Sequence, residues 1–197
     1  MLYLSLRGIL KYIFLFLGLK LEGVHNLPDK GPVIIAANHV SNWDPIFIAI
    51  ALKRPVHYMA KSELFNYRLL GKLLYKINAF PVRRGTADRR AIKNALDILE
   101  SGKVLGMFPE GTRNKTGDEI KFQSGVAMLA LKARAPIVPV ACLGTNKKCP
   151  VGWFNPLVVK LGKPLSVVKY KEKRINTVNL EDLSNQIKAE INSLLLK

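Results

Sequence analysis

Residues 33–45 read VIIAANHVSNWDP, and this stretch decides the fold. Its first five residues, Val33–Ala37, form an uninterrupted apolar run of strand length behind a turn cluster at 28–32. Asp44 suits the cap of a helix and Pro45 suits its first turn, so a helix is predicted to follow. A buried strand, a short polar loop and a helix in this order indicate an α/β protein.

The same alternation of strand and helix continues along the chain. Apolar runs predict further strands over residues 56–60, 78–82, 104–108, 137–143 and 157–161. Helical spacing of apolar residues predicts helices over 62–76, 86–100, 123–133 and from about 180 to the end of the sequence. These patterns predict an α/β fold with a mixed, largely parallel central sheet flanked by helices. No linker divides residues 23–197, which are predicted to form one domain.

The composition describes a globular protein with a strongly basic surface. The chain has 197 residues, is 49% hydrophobic and 23% charged, and carries 31 Lys and Arg against 14 Asp and Glu. This balance excludes a disordered or fibrous chain, and the net charge of +17 predicts an acidic partner. Charge alone leaves nucleic acid, anionic lipid and an acidic carrier protein as alternatives.

Several classes of function lack their motifs in this sequence. It contains neither a P-loop nor a Gly-x-Gly-x-x-Gly fingerprint, and its cations are not interleaved with aromatic residues for base stacking. We therefore expect no nucleotide chemistry and no nucleic acid as a partner. Cys142 and Cys149 have no His or Cys neighbours at zinc-ligand spacing, and no acidic run has calcium-loop spacing, so no metal site is predicted.

The first 20 residues are apolar and basic, with Arg7, Lys11 and Lys20 but no acidic side chain. The charge-free stretch falls well short of the roughly 20 residues that a bilayer span needs, and no signal-peptide cleavage site follows it. Residues 1–22 are therefore predicted to form a basic amphipathic helix at the membrane interface, with Arg7 and Lys11 on one face among anionic headgroups. The alternative is an ordinary buried first helix.

The loop after the first predicted strand supplies a His–Asp pair. Ligands of α/β sheets gather at the carboxyl ends of strands, where His39 lies, and Asp44 follows five residues later. A carboxylate at this spacing can accept from one imidazole nitrogen and leave the other nitrogen as a general base. The alternative is structural, with His39 packed at the strand end and Asp44 capping the helix.

A second loop, after the predicted strand 104–108, has the composition of an anion site. Gly111 permits an unusual backbone turn, Thr112 offers a hydroxyl, and Arg113 presents a planar donor fork suited to phosphate. The alternative for this loop is an ion pair between Glu110 and Arg113.

A third loop, after the predicted strand 78–82, places Arg83 and Arg84 side by side. Adjacent side chains of a strand point to opposite faces, so at most one of the two is expected to face a shared ligand. The other arginine is expected to be solvated.

Together these loops resemble the sequence blocks of the glycerolipid acyltransferase family, and specifically its bacterial 1-acyl-sn-glycerol-3-phosphate (lysophosphatidic acid) acyltransferases. Residues 38–44 match the family's His-x4-Asp block, 80–85 lie where its second block belongs, 108–113 match the third block and 137–140 the fourth. The second block often carries one arginine, whereas Arg83 and Arg84 compete for that role here, and Arg84 is preferred.

The resemblance implies transfer of an acyl chain from an acyl carrier protein or coenzyme A thioester to the sn-2 hydroxyl of lysophosphatidic acid, giving phosphatidic acid. His39 would act as the general base and Asp44 would orient it. The thioester would be a co-substrate, and neither a cofactor nor an acyl-enzyme intermediate is implied. Alternatives that keep the same motifs are acylation of glycerol 3-phosphate or another lysophospholipid, and a non-catalytic peripheral membrane-binding module.

The resemblance also implies where the substrates bind. Arg113 and an arginine of the second block would hold the phosphate of the acceptor, and Pro139 would belong to the apolar wall on the acyl side. The pocket would be shaped by three residues of the third block, Glu110, Gly111 and Thr112. The implied location is the cytoplasmic face of the cell membrane, as a peripheral or monotopic protein in contact with anionic lipids.

Overall fold

The chain alternates between one β-sheet and the helices that cover it. A computed structural model describes residues 2–83, 85–86, 88–114, 122–147, 150–170 and 175–196. The strands are β1 (Leu19–Glu22), β2 (Val33–Ala37), β3 (Val56–Lys61), β4 (Ala79–Val82), β5 (Val104–Met107), β6 (Ile137–Leu143) and β7 (Leu157–Leu161). The α-helices are α1 (Leu2–Phe16), α2 (Asp44–Ala51), α3 (Arg68–Lys76), α4 (Arg89–Glu100), α5 (Gly125–Ala133) and α6 (Thr177–Leu196). Short 3₁₀ turns cover Val24–Asn26, Ser62–Asn66 and Val168–Tyr170.

The seven strands lie in the order β1-β7-β6-β2-β5-β3-β4. Each neighbouring pair is parallel except β6 and β7, which are antiparallel. The sheet is therefore mixed and largely parallel, which confirms the predicted fold class. β2 lies in the middle, and all five of its residues are buried because helices cover both faces of the sheet. This burial explains why Val33–Ala37 is apolar at every position rather than at alternate ones.

The helices cover the two faces of the sheet in two groups. α1 and α2 pack on one face, where Phe14 and Phe47 contact alternate residues of the central strands. α4, α5 and α6 pack on the other face through apolar stripes that include Leu99, Leu129 and Ile187. Full burial of each such side chain contributes about 1.5–3 kcal/mol, so these two clusters are the main source of stability.

Four neighbouring parallel strands, β2, β5, β3 and β4, end at the same edge of the sheet. His39 follows β2, Glu110 follows β5, and Arg83 follows β4. Ala36 pairs with Met107, so the loops that leave β2 and β5 begin at nearly the same level. The topology therefore brings together side chains that are far apart in the sequence.

The first helix ends earlier than predicted. α1 stops at Phe16, and Leu19–Glu22 form β1, which pairs with β7 at one edge of the sheet. The prediction of a helix over residues 1–22 is therefore wrong for its last part, because a four-residue strand is too short to show a period of its own. In the described part of the chain, no helix is both long enough and apolar enough to cross a bilayer.

One cation of α1 points into the protein. Nη1 of Arg7 donates to the carbonyl oxygens of Leu52 and Lys53, at 2.9 and 2.8 Å, just beyond the end of α2. A cation is favourable at this position because the last carbonyls of a helix carry partial negative charge. The expectation that Arg7 lies among lipid headgroups is therefore wrong.

Four helices differ from prediction, and α5 begins at Gly125 rather than at residue 123. The helix predicted over 62–76 is interrupted, because Tyr67 is extended and separates the 3₁₀ turn from α3. α4 begins at Arg89 rather than at residue 86, since the carboxylate of Asp88 accepts from the N–H groups of Arg90 and Ala91, both at 3.1 Å. α6 begins at Thr177, slightly earlier than predicted.

Gly106 in β5 is needed because the ring of Tyr58 lies against it. A Cβ atom at residue 106 would clash with Cε1 of Tyr58. We expect Gly106→Ala to lower the free energy of unfolding by about 1–3 kcal/mol through overpacking, as measured by urea denaturation. Gly125→Ala, where a Cβ meets nothing within 4 Å, is the matched control. Equal stability of the two variants would contradict the close contact.

Candidate active site

His39 and Asp44 form a buried hydrogen-bonded pair at the carboxyl end of β2. The distance from Nδ1 of His39 to Oδ2 of Asp44 is 2.9 Å. Asp44 is completely buried, whereas His39 retains an exposed fraction of 8%. Because Nδ1 is bonded to the carboxylate, Nε2 is the ring nitrogen that remains for a ligand. A pair of this kind can take up a proton at Nε2 and stabilise the resulting imidazolium.

Four donors hold the carboxylate of Asp44. Besides His39, its Oδ2 accepts from the backbone N–H groups of Val40 at 2.8 Å and Ser41 at 2.7 Å, while Oδ1 accepts from the hydroxyl of Thr145 at 2.5 Å. These bonds offset the cost of burying the carboxylate. They also turn it back toward the loop, so it makes no side-chain cap for α2. The structural alternative, in which Asp44 caps the helix, is therefore wrong.

The imidazole also lies at one end of a stack of three rings. The ring centroids of His39 and Phe108 are 4.0 Å apart with an interplanar angle of 18°. Phe108 stacks in turn with Tyr58, at 6.2 Å and 11°. Ring contact on one face and the hydrogen bond at Nδ1 together hold the imidazole in one orientation.

Asn38 connects the end of β2 to β6. Its Nδ2 donates to the carbonyl oxygen of Cys142 at 3.0 Å, and its Oδ1 accepts from the N–H of Cys142 at 2.7 Å. Both residues are buried, so each bond satisfies a backbone group that water does not reach. The loop that carries His39 therefore starts from a fixed point on the sheet.

Glu110 holds the backbone of His39 from the neighbouring strand. Its Oε1 accepts from the N–H of His39 at 3.1 Å, and the N–H of Asn114 donates to the carbonyl oxygen of His39 at 2.7 Å. The Oε2 atom is buried and has no hydrogen-bond partner among the described residues. Within those residues Glu110 makes no ion pair, so the alternative of a Glu110–Arg113 pair is wrong.

A pocket of about 370 Å³ opens beside the imidazole. Its apolar wall consists of Met59, Val82, Gly106, Met107 and Phe108. Its remaining lining is His39, Arg83, Gly85, Thr86, Gly111, Thr112 and Gln123. The pocket can therefore take a ligand that combines an apolar part, a group that bonds to His39 and an anionic group that pairs with Arg83.

The predicted site residues do not all lie at this pocket. His39, Arg83, Gly111 and Thr112 line it, and Glu110 lies directly behind His39. Arg113 is exposed and is not among the lining residues. Arg84 lies outside the described residues, so the preference for Arg84 over Arg83 stays a prediction.

Pro139 is placed away from the pocket. It is buried in β6 next to Gly162, which also lies close to Leu194 of α6. Its ring therefore lies on the face of the sheet that α6 covers, and it is not among the residues that line the pocket beside His39. Its implied role in an acyl-side wall stays a prediction.

Some residues of the site were not predicted. Asn38 directly precedes His39, and its place in the same block was the available signal. Thr145 lies 101 residues from the Asp44 carboxylate that it contacts, and no local pattern reveals this contact. Phe108, Tyr58 and Gln123 also gave no signal, because aromatic and amide side chains at strand ends are common in structural roles as well.

The chain has an α/β fold with a buried His–Asp pair beside a pocket whose walls are apolar and cationic. Residues 18–143 match the family model described as Acyltransferase, and the chain belongs to that family. It is an acyltransferase, which confirms the family and the enzyme class predicted from the four sequence blocks.

Bacterial proteins that are named as acyltransferases are similar to this chain. A 1-acyl-sn-glycerol-3-phosphate acyltransferase of Bacillus subtilis is 35% identical over 164 residues, which cover 82% of this chain and 76% of that protein. A protein of the same name from Streptococcus pneumoniae is 29% identical to this chain, and the match covers 98% of this chain and 73% of that protein. A crystal structure of the 1-acyl-sn-glycerophosphate acyltransferase of Thermotoga maritima matches 98% of this chain and 79% of its own, with a TM-score of 0.74 and 24% identity. The last match supports the fold.

Burial raises the pKa of the Glu110 carboxyl above its ordinary value, and the hydrogen bond from the His39 N–H acts in the opposite direction. The folded state therefore keeps this proton to higher pH than the unfolded chain. The resulting contribution to stability is present below the ordinary pKa, about 4.3, and is lost as the pH rises through the raised value. As the pH rises through this range, we expect the free energy of unfolding of Glu110→Gln to increase relative to that of the parent protein. Denaturation at successive pH values measures this difference.

The control for this experiment is Glu190→Gln, which removes an exposed carboxyl from α6. It changes the net charge equally but leaves the site untouched. A difference between Glu110→Gln and the parent protein that stays constant with pH would contradict the raised pKa.

Proposed function

We propose that this acyltransferase transfers an acyl chain from an acyl carrier protein or coenzyme A thioester to the sn-2 hydroxyl of lysophosphatidic acid, giving phosphatidic acid. The observation that carries the proposal is the 2.9 Å hydrogen bond between His39 and Asp44 beside a pocket that Arg83 also lines. The names of the Bacillus subtilis and Streptococcus pneumoniae relatives specify the same acceptor.

In the proposed reaction, Nε2 of His39 accepts the proton of the acceptor hydroxyl. The hydroxyl oxygen attacks the thioester carbonyl carbon and forms the new C–O bond. The tetrahedral intermediate then collapses, the C–S bond breaks, and the leaving thiolate takes the proton from the imidazolium. Asp44 keeps the imidazole oriented and stabilises its positive charge during the step. No residue of the protein becomes acylated, and no metal or cofactor takes part.

The acceptor phosphate is proposed to bind among the arginines at the carboxyl edge of the sheet. Arg83 lines the pocket, Arg113 lies on the neighbouring loop, and Arg84 adjoins Arg83 in the sequence. Gly111 and Thr112 complete this side of the pocket. Guanidinium groups suit a phosphomonoester because their planar forks donate two parallel hydrogen bonds.

We place the protein at the cytoplasmic face of the membrane, as a peripheral or monotopic enzyme. α1 exposes Leu4, Ile9, Tyr12, Ile13 and Phe16, which is an unusual number of large apolar side chains for one helix. A helix of this kind binds in the interface of a bilayer, where the lysophospholipid acceptor resides. The net charge of +17 favours anionic lipids and an acidic thioester donor.

We expect His39→Ala to lower turnover at least about a hundredfold while the protein stays folded, because the base is lost. The measurement is mass-spectrometric detection of phosphatidic acid from lysophosphatidic acid, with each of the two thioester donors. His25→Ala is the matched control, since His25 is exposed in the 3₁₀ turn at 24–26. Retained activity of His39→Ala would refute the base. If the parent protein is inactive on lysophosphatidic acid but acylates glycerol 3-phosphate or another lysophospholipid, the acceptor is wrong.

We expect Arg113→Ala to raise the KM for lysophosphatidic acid about tenfold or more and to leave the KM for the thioester unchanged, because a phosphate contact is lost. Steady-state kinetics with each substrate varied in turn measure both constants. Lys132→Ala, which removes one exposed positive charge from α5, controls for the general loss of charge. An increase confined to the thioester KM would show that the phosphate site is assigned to the wrong residue.

A further inference from the structure

Helix α3 exposes apolar side chains that nothing in the described chain covers. Leu69 has an exposed fraction of 84% and Leu73 of 44%, and Tyr67, directly before the helix, has one of 68%. Gly71 is the one buried residue of this helix, and it packs against the backbone of Phe65 in the preceding turn. A helix that faces outward with its apolar side needs a partner to remove that surface from water.

The charges of α3 indicate the chemistry of this partner. Arg68, Lys72 and Lys76 follow one another at intervals of four residues, so they form a stripe along one side of the helix. All three are exposed, and α3 contains no acidic residue. The cationic stripe lies beside Leu69 and Leu73 on the helical surface. A row of cations next to an apolar face is the arrangement of helices that lie in the surface of an anionic bilayer.

α3 and α1 meet on the same side of the protein. Ile77, the residue that follows α3, lines a small apolar cavity together with Tyr3 and Leu6 of α1. Farther along α1, Tyr12 and Phe16 have exposed fractions of 77% and 72%. The C-terminal end of α3 therefore lies near the N-terminal part of α1.

Exposed apolar side chains also lie beyond the end of α1. The ring centroids of Phe16 and Trp153 are 5.2 Å apart, and Phe154 is 80% exposed. Trp153 and Phe154 belong to the loop before β7, so exposed apolar side chains lie on α3, on α1 and on this loop. We call this set of side chains the apolar strip. Trp and Tyr side chains at such a boundary are typical of the interface between water and membrane.

We propose that α3 binds the surface of an anionic lipid bilayer and forms, with α1 and the loop at 153–154, one bilayer-contacting surface. The choice of a lipid surface rests on the proposed function, which takes its acceptor from the bilayer. A second copy of the chain is a poorer occupant, because two cationic stripes would face each other across the interface.

This contact positions the catalytic pocket. The turn Ser62–Asn66, which leads into α3, lines a groove together with Arg83 and Thr86. Arg83 and Thr86 also line the pocket beside His39. When α3 lies on the bilayer, this groove is brought next to the headgroups, and a lysophospholipid can reach the pocket without leaving the interface.

The test is cosedimentation of the full chain with vesicles, in the absence of any substrate. One set of vesicles is pure phosphatidylcholine, and the other contains about a third phosphatidylglycerol. We expect the double variant Leu69→Glu, Leu73→Glu to bind the anionic vesicles at least about tenfold more weakly than the parent protein. The matched control is Val168→Glu, Val178→Glu, which adds the same two charges at positions that are each 72% exposed, outside the apolar strip. The control variant is expected to bind as the parent protein does.

The possible outcomes separate this proposal from the proposed function. Equal vesicle binding by the α3 variant and the parent protein would overturn the role of α3, whether or not the enzyme acylates lysophosphatidic acid. A lipid-free dimer that the α3 variant converts to a monomer, detected by analytical ultracentrifugation, would show that a second copy covers this helix. A vesicle-bound protein that is inactive on lysophosphatidic acid would refute the acceptor and leave the membrane surface standing.

The variant Leu69→Trp provides a second measurement, which does not depend on weakening the binding of the protein to vesicles. With α3 in the interface, vesicles of brominated lipid are expected to quench the added tryptophan fluorescence, after subtraction of the signal of the parent protein. Val178→Trp serves as the control on α6. Equal quenching at the two positions would contradict the proposal.

Discussion

The buried carboxylate of Asp44 is the group on which the arrangement of the site depends. A carboxylate that is fully removed from water is costly unless donors surround it, and its donors come from His39, two backbone groups of the same loop and Thr145 beyond β6. The loop between β2 and α2 must therefore fold tightly around Asp44, and β6 must lie beside β2. The orientation of the imidazole is a consequence of satisfying this one charge.

The charge of the buried side chains around His39 differs in sign from the net charge of the whole molecule. The chain carries a net charge of +17, yet two of the buried polar side chains around His39 are acidic, Asp44 and Glu110. Their different surroundings give them different tasks. Asp44 is saturated with donors, whereas Glu110 has one bonded and one unbonded oxygen, and its pKa is raised by burial. The first acid positions the imidazole ring and the second holds the backbone that carries it.

Local sequence patterns predicted β2, β6 and β7 and the order of strands and helices, because apolar runs bounded by turns have few other interpretations. They missed β1, since its four residues continue the apolar character of α1. They brought His39 and Asp44 together correctly, because both lie in one loop. Thr145 escaped prediction because only the pairing of β6 with β2 brings it to Asp44. Tertiary contacts of this kind leave no trace in a single sequence.

Because β1 pairs with β7, its partner strand is made much later during synthesis of the chain. Leu19 pairs with Leu157, so β1 has no sheet partner until the ribosome has made nearly the whole sheet. At the usual rate of translation, the time between the synthesis of Leu19 and that of Leu157 is roughly 7–28 s. During it, the helix and strand at the start of the chain cannot complete their native packing, because β7 does not yet exist. The edge of the sheet that adjoins α1 is therefore closed late, after the central strands that carry the His–Asp pair have been made.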